Sequence, residues 1–225
     1  MLSASLAMAA GAAPKSKAAH DAPPAAAAAS AAAPGVPASA GDPLLGRDKA
    51  DAERCLECHS DTGAGQGFST GSDGKFAQLN GQDADYIVKQ VRDYRSGQRR
   101  HEFMTMVAQR LSDADLADIA AYFASQPALH ASASGAETAD AAARQLYAQG
   151  DATRGVLACA SCHGAEHHAS GAPVLGGQGR GYLAQQLADW RSGARGNSAG
   201  GVMNLMAAPL SDADIAALAR YVSAM

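Results

Sequence analysis

CLECH at Cys55 to His59 and CASCH at Cys159 to His163 decide the reading of this chain: together they use all four of its cysteines and place a histidine directly after each pair. Two thiols three positions apart on a helical turn can each form a thioether to one of the two vinyl groups of a single porphyrin, and the next residue then lies beneath the iron. A histidine there supplies the proximal ligand through its imidazole and leaves the opposite face to a second side chain or open. Each string therefore predicts a covalently bound haem c: Cys55 and Cys58 with His59 on iron, and Cys159 and Cys162 with His163. Structural zinc is the main competing chemistry, but paired zinc cysteines usually sit about 15 to 20 residues apart, whereas 104 positions separate Cys55 from Cys159. A disulfide or thioredoxin-type redox pair does not require the histidine.

The surrounding sequence repeats with the motif. GQDADYIVKQVRDYRSGQR, from Gly81 to Arg99, aligns without a gap on GQGRGYLAQQLADWRSGAR, from Gly177 to Arg195, and LSDADLADIAAYF from Leu111 matches LSDADIAALARYV from Leu210. A self-similar unit of this size means two copies of one small domain, longer than a solenoid repeat.

That register also locates a second iron ligand in each half. Met104 stands seven positions before Leu111 and Met203 seven before Leu210, while Met106 and Met206 do not align with each other. A thioether suits haem iron and raises its reduction potential relative to a second histidine, which favours an electron carrier. Met104 and Met203 are thus the expected sixth ligands, and Met106 and Met206 are expected to be core filler.

In each LSDAD segment the serine, Ser112 or Ser211, stands three positions before an aspartate, a capping-box-like helix start. Leu116, Ile119, Ala120 and Phe123, and Ile215, Leu218, Ala219 and Val222, follow at helical spacing, as do Ile87, Val91 and Tyr94, and Leu183, Leu187 and Trp190. No alternating run is long enough for a sheet. The expected fold is all-α, with each half built of three or more helices around a porphyrin whose apolar plane enlarges a small core.

The double CxxCH, the GQ-x-x-x-Y-x-x-x-Q string, the RSG turn and the methionine seven before LSDAD resemble the dihaem cytochrome c4 family, from about Arg47 to the C-terminus. The resemblance implies two tandem class I cytochrome c domains with histidine and methionine axial ligands, passing electrons towards a terminal oxidase or reductase. It also implies that the haem propionate edges face each other. The expected organisation is a leader and disordered linker over 1–46, one cytochrome c domain over 47–130 and a second over 131–225. One position departs from the family pattern. Four residues before the GQ glycine the second half has Pro173, but the first has Ala77. The resemblance assigns that residue's carbonyl as acceptor for the proximal histidine's second N–H, a bond that fixes ring orientation and raises ligand basicity. Alanine keeps the carbonyl and loses proline's fixed φ, so the bond is expected to survive in a looser loop, with the two haems differing in potential. The first half also carries eight more residues than the second between its CxxCH histidine and its GQ glycine, in the turn-rich stretch DTGAGQGFSTGSDGKF.

Arg99 and Arg195 correspond, as do Arg95 and Arg191. A guanidinium can clamp a haem propionate in a bidentate way, and a basic residue at a helix end also complements the helix dipole in solvent; both readings stand for these positions. His101, three before Met104, is a competing ligand should its loop rearrange, and His20, His130, His167 and His168 are read as surface residues.

The first 46 residues form an Ala/Pro/Ser tract unable to bury a varied core. Its opening, MLSASLAMAAGAAP, resembles a secretory h-region without a positive n-region. Haem attachment to CxxCH in bacteria takes place outside the cytoplasmic membrane, so a periplasmic protein is expected, tethered to the membrane where the leader stays uncleaved. No membrane span is expected, because no apolar run reaches the ~18 residues one needs. Formal net charge is −4; residues 47–127 carry ten basic and thirteen acidic side chains, and residues 140–225 six of each. That balance gives no support to nucleic-acid binding, which needs a basic face, and its asymmetry orients the molecule towards partners during encounter. The expected partners are redox proteins of the respiratory chain, a donor complex and a terminal oxidase or reductase. The function expected is therefore that of a diffusible electron carrier and not an enzyme. A peroxidase-like dihaem enzyme, which needs one iron with an open face, and a cytochrome subunit permanently docked to a dehydrogenase or oxidase are the alternatives.

Overall fold

A computed structural model of the chain describes residues 41–59, 74–128, 140–164 and 171–225. Most of the N-terminal tract, most of the eight-residue-longer loop, and His20, His130, His167 and His168 lie outside those residues. Among the described residues all regular structure is helical, with one isolated bridge between Asp151 and Val156. The first repeat forms α1 (Pro43–Ala52), α2 (Leu56–His59), α3 (Ala84–Ser96), α4 (Glu102–Arg110) and α5 (Asp113–Ser125). The second forms α6 (Ala141–Gln149), α7 (Ala160–His163), α8 (Arg180–Ser192), a 3₁₀ turn at Ala199–Gly201, α9 (Val202–Ala207) and α10 (Asp212–Ser223).

Local chemistry sets these boundaries. Asp42 starts α1 by accepting the N–H groups of Leu44 and Leu45, with Pro43 in the first turn. Ser112 Oγ accepts the Asp115 N–H at the start of α5, and Ser211 with Asp214 forms a full capping box on α10. The RSG strings end α3 and α8 identically: Gly97 and Gly193 both adopt φ +80°, a left-handed C-terminal cap that a side chain would resist.

The packing repeats too. In the first half α1 packs on α5, and α3 on α4 and α5; in the second α6 packs on α10, and α8 on α9 and α10. Leu116, Ile119, Ala120 and Phe123 are buried together with Ala50, Ile87 and Val88. Ile215, Leu218, Ala219 and Val222 are buried with Leu146, Leu183 and Trp190. Full burial of each large member is worth about 1.5–3 kcal/mol, so the apolar stripes read from the sequence supply the two cores. Met106 differs from expectation. It is 49% exposed, because it lies on the outward face of α4, and is not core filler. The Met206 sulfur instead accepts the Leu157 N–H at 3.3 Å.

Candidate haem sites

Both CxxCH strings fold as a short turn of helix, in which His59 N–H bonds to Cys55 C=O and His163 N–H to Cys159 C=O. None of the four cysteines is in a disulfide, and all are partly enclosed. Burial pushes the Cys55 thiol up to about 11 and raises Cys159 as well.

Each CxxCH histidine is held by a backbone carbonyl on the far loop. His59 Nδ1 lies 2.7 Å from the Ala77 oxygen and His163 Nδ1 3.0 Å from the Pro173 oxygen. A carbonyl only accepts, so Nδ1 carries the proton and Nε2 is left as the free base, the form a metal ligand requires. Desolvation holds the His59 ring below the ordinary imidazole range, and the nearby charges of Arg99 and His101 act in the same direction. The bond expected to persist at Ala77 does so.

Met104 sits in the first turn of α4 and Met203 in the first turn of α9, both part-buried. Met203 packs on the second core. Arg95 and Arg191 fix the turns that follow these helices. Arg95 donates to the carbonyls of Ala108 and Leu111 and to Asp113, and Arg191 donates to Leu210 C=O and Asp212. These two arginines are therefore tethers between the methionine helix and the LSDAD helix, and not solvated helix ends. His101 caps α4, its Nδ1 accepting the Met104 N–H at 3.3 Å.

Arg99 and Arg195 lie on the seam between the halves, 8% and 7% exposed. Arg99 donates to Gln90 of its own half and to Tyr182 Oη and Gln186 Oε1 of the other, at 3.0 and 2.8 Å. Arg195 mirrors it, donating to Gln186 at home and to Tyr86 Oη and Gln90 Oε1 across the seam. Each guanidinium also stacks on an aromatic ring of its own half, Arg99 on Tyr94 and Arg195 on Trp190. Burial alone would raise the Tyr182 phenol, but the two guanidiniums outweigh it and hold Tyr182 below the phenol range.

Sequence reasoning did not assign roles to Gln82, Tyr86, Gln90, Gln178, Tyr182 and Gln186. The signal was present: both copies of the GQ-x-x-x-Y-x-x-x-Q string place identical polar residues four apart, which is one helical face. Gln82, Gln90 and Gln178 are buried in the seam, and Tyr86, Tyr182 and Gln186 are half-buried there. The symmetry is incomplete, since Asn197 donates to Gln90 and Asp93 of the first half while Lys89 donates to Asp93 and to the Asn197 carbonyl. The corresponding residue of the first half is His101.

The donor set fits haem c. Each half has a CxxCH cysteine pair and a histidine whose Nδ1 is bonded to a backbone carbonyl, and in the second half Met203 packs on the core. Two buried cations meet only neutral acceptors among the described residues, so the seam can accommodate anionic groups such as propionates. No cluster of three or more His, Cys, Asp or Glu side chains suited to a metal ion is found among the described residues.

The Cytochrome c family model matches residues 45–127 and again 141–225. The chain is 38% identical to cytochrome c4 of Pseudomonas aeruginosa over 200 residues, covering 85% of this chain and 92% of that protein. It is 35% identical over 173 residues to a protein of Stutzerimonas stutzeri named thiosulfate dehydrogenase electron acceptor, covering 76% and 78%. Among solved structures, reduced recombinant cytochrome c4 from Pseudomonas stutzeri superimposes with a TM-score of 0.68 at 34% identity, covering 83% of this chain and 100% of that one.

Proposed function

Because this chain belongs to the dihaem cytochrome c4 family and carries two covalent haem c groups, we propose that Cys55, Cys58, His59 and Met104 hold the first haem and Cys159, Cys162, His163 and Met203 the second. Haem iron supplies a one-electron ferric/ferrous couple, and the protein is an electron-transfer protein rather than an enzyme. The single observation that carries the site assignment is the matched pair of histidine Nδ1 to carbonyl bonds at Ala77 and Pro173, which presents Nε2 in both halves. His59 and His163 would hold the iron through Nε2 and Met104 and Met203 would supply thioether ligands to it, while the buried core helices exclude water. Arg99 and Arg195 supply positive charge where the propionates would lie. The protein works in the periplasm, taking electrons from a respiratory donor and passing them to a terminal oxidase or reductase. The relative named for thiosulfate dehydrogenase supports a dehydrogenase as one kind of donor.

Visible and near-infrared spectra of the holoprotein and of Met104→Ala and Met203→Ala test the ligand set. Each substitution is expected to remove half of the methionine charge-transfer band, create one high-spin iron and lower one of two potentials. Unchanged spectra in both variants would refute the assignment.

A further inference from the structure

Two glutamines reach across the seam to the loops that hold the opposite histidines. Gln82 Oε1 accepts the Val174 N–H at 2.9 Å while its Nε2 donates to the Val174 carbonyl at 3.0 Å. Gln178 repeats the arrangement in the other direction, accepting the Gln78 N–H at 2.7 Å and donating to the Gln78 carbonyl at 3.0 Å. Both glutamines are 5% exposed, so water does not compete for these bonds.

The targets are not arbitrary. Val174 N–H and Pro173 C=O belong to one peptide group, and so do Gln78 N–H and Ala77 C=O. Each glutamine therefore accepts from the N–H of the very peptide whose oxygen accepts the other domain's histidine Nδ1–H. An acceptor on the N–H of a peptide polarises it and strengthens its oxygen as an acceptor. The doubled contact also fixes the rotation of that peptide plane. We infer that Gln82 and Gln178 are positioning residues acting in trans: Gln82 sets the orientation and basicity of His163, and Gln178 those of His59. This rests on His59 and His163 being the proximal ligands. A more basic proximal histidine stabilises ferric iron, so each glutamine lowers the potential of the haem in the domain to which it does not belong.

The two clamps are not of equal weight. Pro173 retains a ring-fixed φ when its clamp is removed, whereas Ala77 has no ring to restrain it. Removing Gln178 thus has the larger effect, and the substitution of alanine for proline in the first half is compensated from the second.

The test uses the holoprotein with Gln82→Met and Gln178→Met, which keep side-chain length and remove both bonds. Proton NMR, with haem and axial-ligand resonances assigned by domain, follows the redox titration of each haem and hydrogen exchange of each histidine Nδ1–H in the reduced protein. Gln178→Met is expected to raise the potential of the first haem and leave the second in place, with His59 exchange roughly three- to tenfold faster, the loss of about one net hydrogen bond. Gln82→Met is expected to do the same to the second haem and His163, by less. Gln178→Glu, nearly isosteric, retains the acceptor for Gln78 N–H and is expected to keep His59 exchange near the wild-type rate, which preserves the contrast should methionine loosen the seam. Effects confined to the glutamine's own domain, equal shifts of both haems, or no shift would overturn the clamp alone. Absence of histidine ligand resonances in the wild-type spectrum would overturn the ligand assignment and the clamp with it.

Discussion

Replacing Arg99 with leucine removes a buried charge whose field reaches the His59 ring. The guanidinium is 8% exposed and its hydrogen-bond partners, Gln90, Tyr182 and Gln186, are all neutral, while the buried carboxylate of Asp93 in the same seam is paired with Lys89. A unit charge about 10 Å from a redox centre, at an effective dielectric of about 20, contributes ~1.7 kcal/mol, which is ~70 mV for a one-electron couple. Cations favour the reduced state, so Arg99→Leu is expected to lower the potential of the first haem by tens of millivolts and that of the second by less. A propionate paired with this arginine would deepen the fall, because its negative charge would lose its partner. The same variant loses two bonds across the seam, roughly 2 kcal/mol of cohesion between the halves. Spectroelectrochemical titration with each haem resolved by NMR reads the first effect, and denaturant unfolding reads the second. An unchanged or raised potential in a folded variant would refute the placement of this charge beside the haem.

Two further outcomes follow from the packing and the ionisation. Gly179 stands where Asp83 caps α3 in the first half, but here the Tyr182 N–H is accepted at 2.8 Å by the Gly74 carbonyl of the other half. A Cβ on Gly179 would lie 2.6 Å from that oxygen, so Gly179→Ala is expected to cost about 1–3 kcal/mol; a denaturation midpoint equal to wild type would contradict the close approach. Hydrogen bonds from Thr153 and Arg154 hold Asp151 down to about 2, and partners from Arg95, Lys49 and Arg154 hold Asp113, Asp115, Asp118 and Asp214 below the ordinary value. Because folding lowers these values, their stabilisation is present above the unfolded value of 3.8 and lost as pH falls towards 2. The thermal midpoint should therefore decline between pH 4 and pH 2, and a flat profile there would exclude these pairs as contributors.

Much of the site was legible because it is local or repeated. The CxxCH spacing follows from the distance between two vinyl groups, and the capping serines and apolar stripes follow from the 3.6-residue turn. Alignment of the two copies singled out Met104 over Met106; the packing of Met106 was not legible, since it was expected in the core and lies 49% exposed. The arginines were only half legible: a guanidinium near a helix end carries the same sequence signature whether it faces water, tethers the next helix, as Arg95 and Arg191 do, or lies buried, as Arg99 and Arg195 do.

What the sequence alone determined is whatever depends on residues within a turn or two of each other: haem attachment, helix starts and stops, the core faces and the existence of two like domains. Only the tertiary structure decided what lies between them. Gln82, Tyr86 and Gln90 form a polar stripe that a single helix would turn to water, and nothing within their own repeat supplies partners for all of them. Their partners stand in the second copy, and the reciprocal ones in the first. A hydrogen bond between side chains about ninety residues apart has no periodicity to betray it; it exists because two nearly identical surfaces, brought face to face, satisfy each other's buried donors and acceptors.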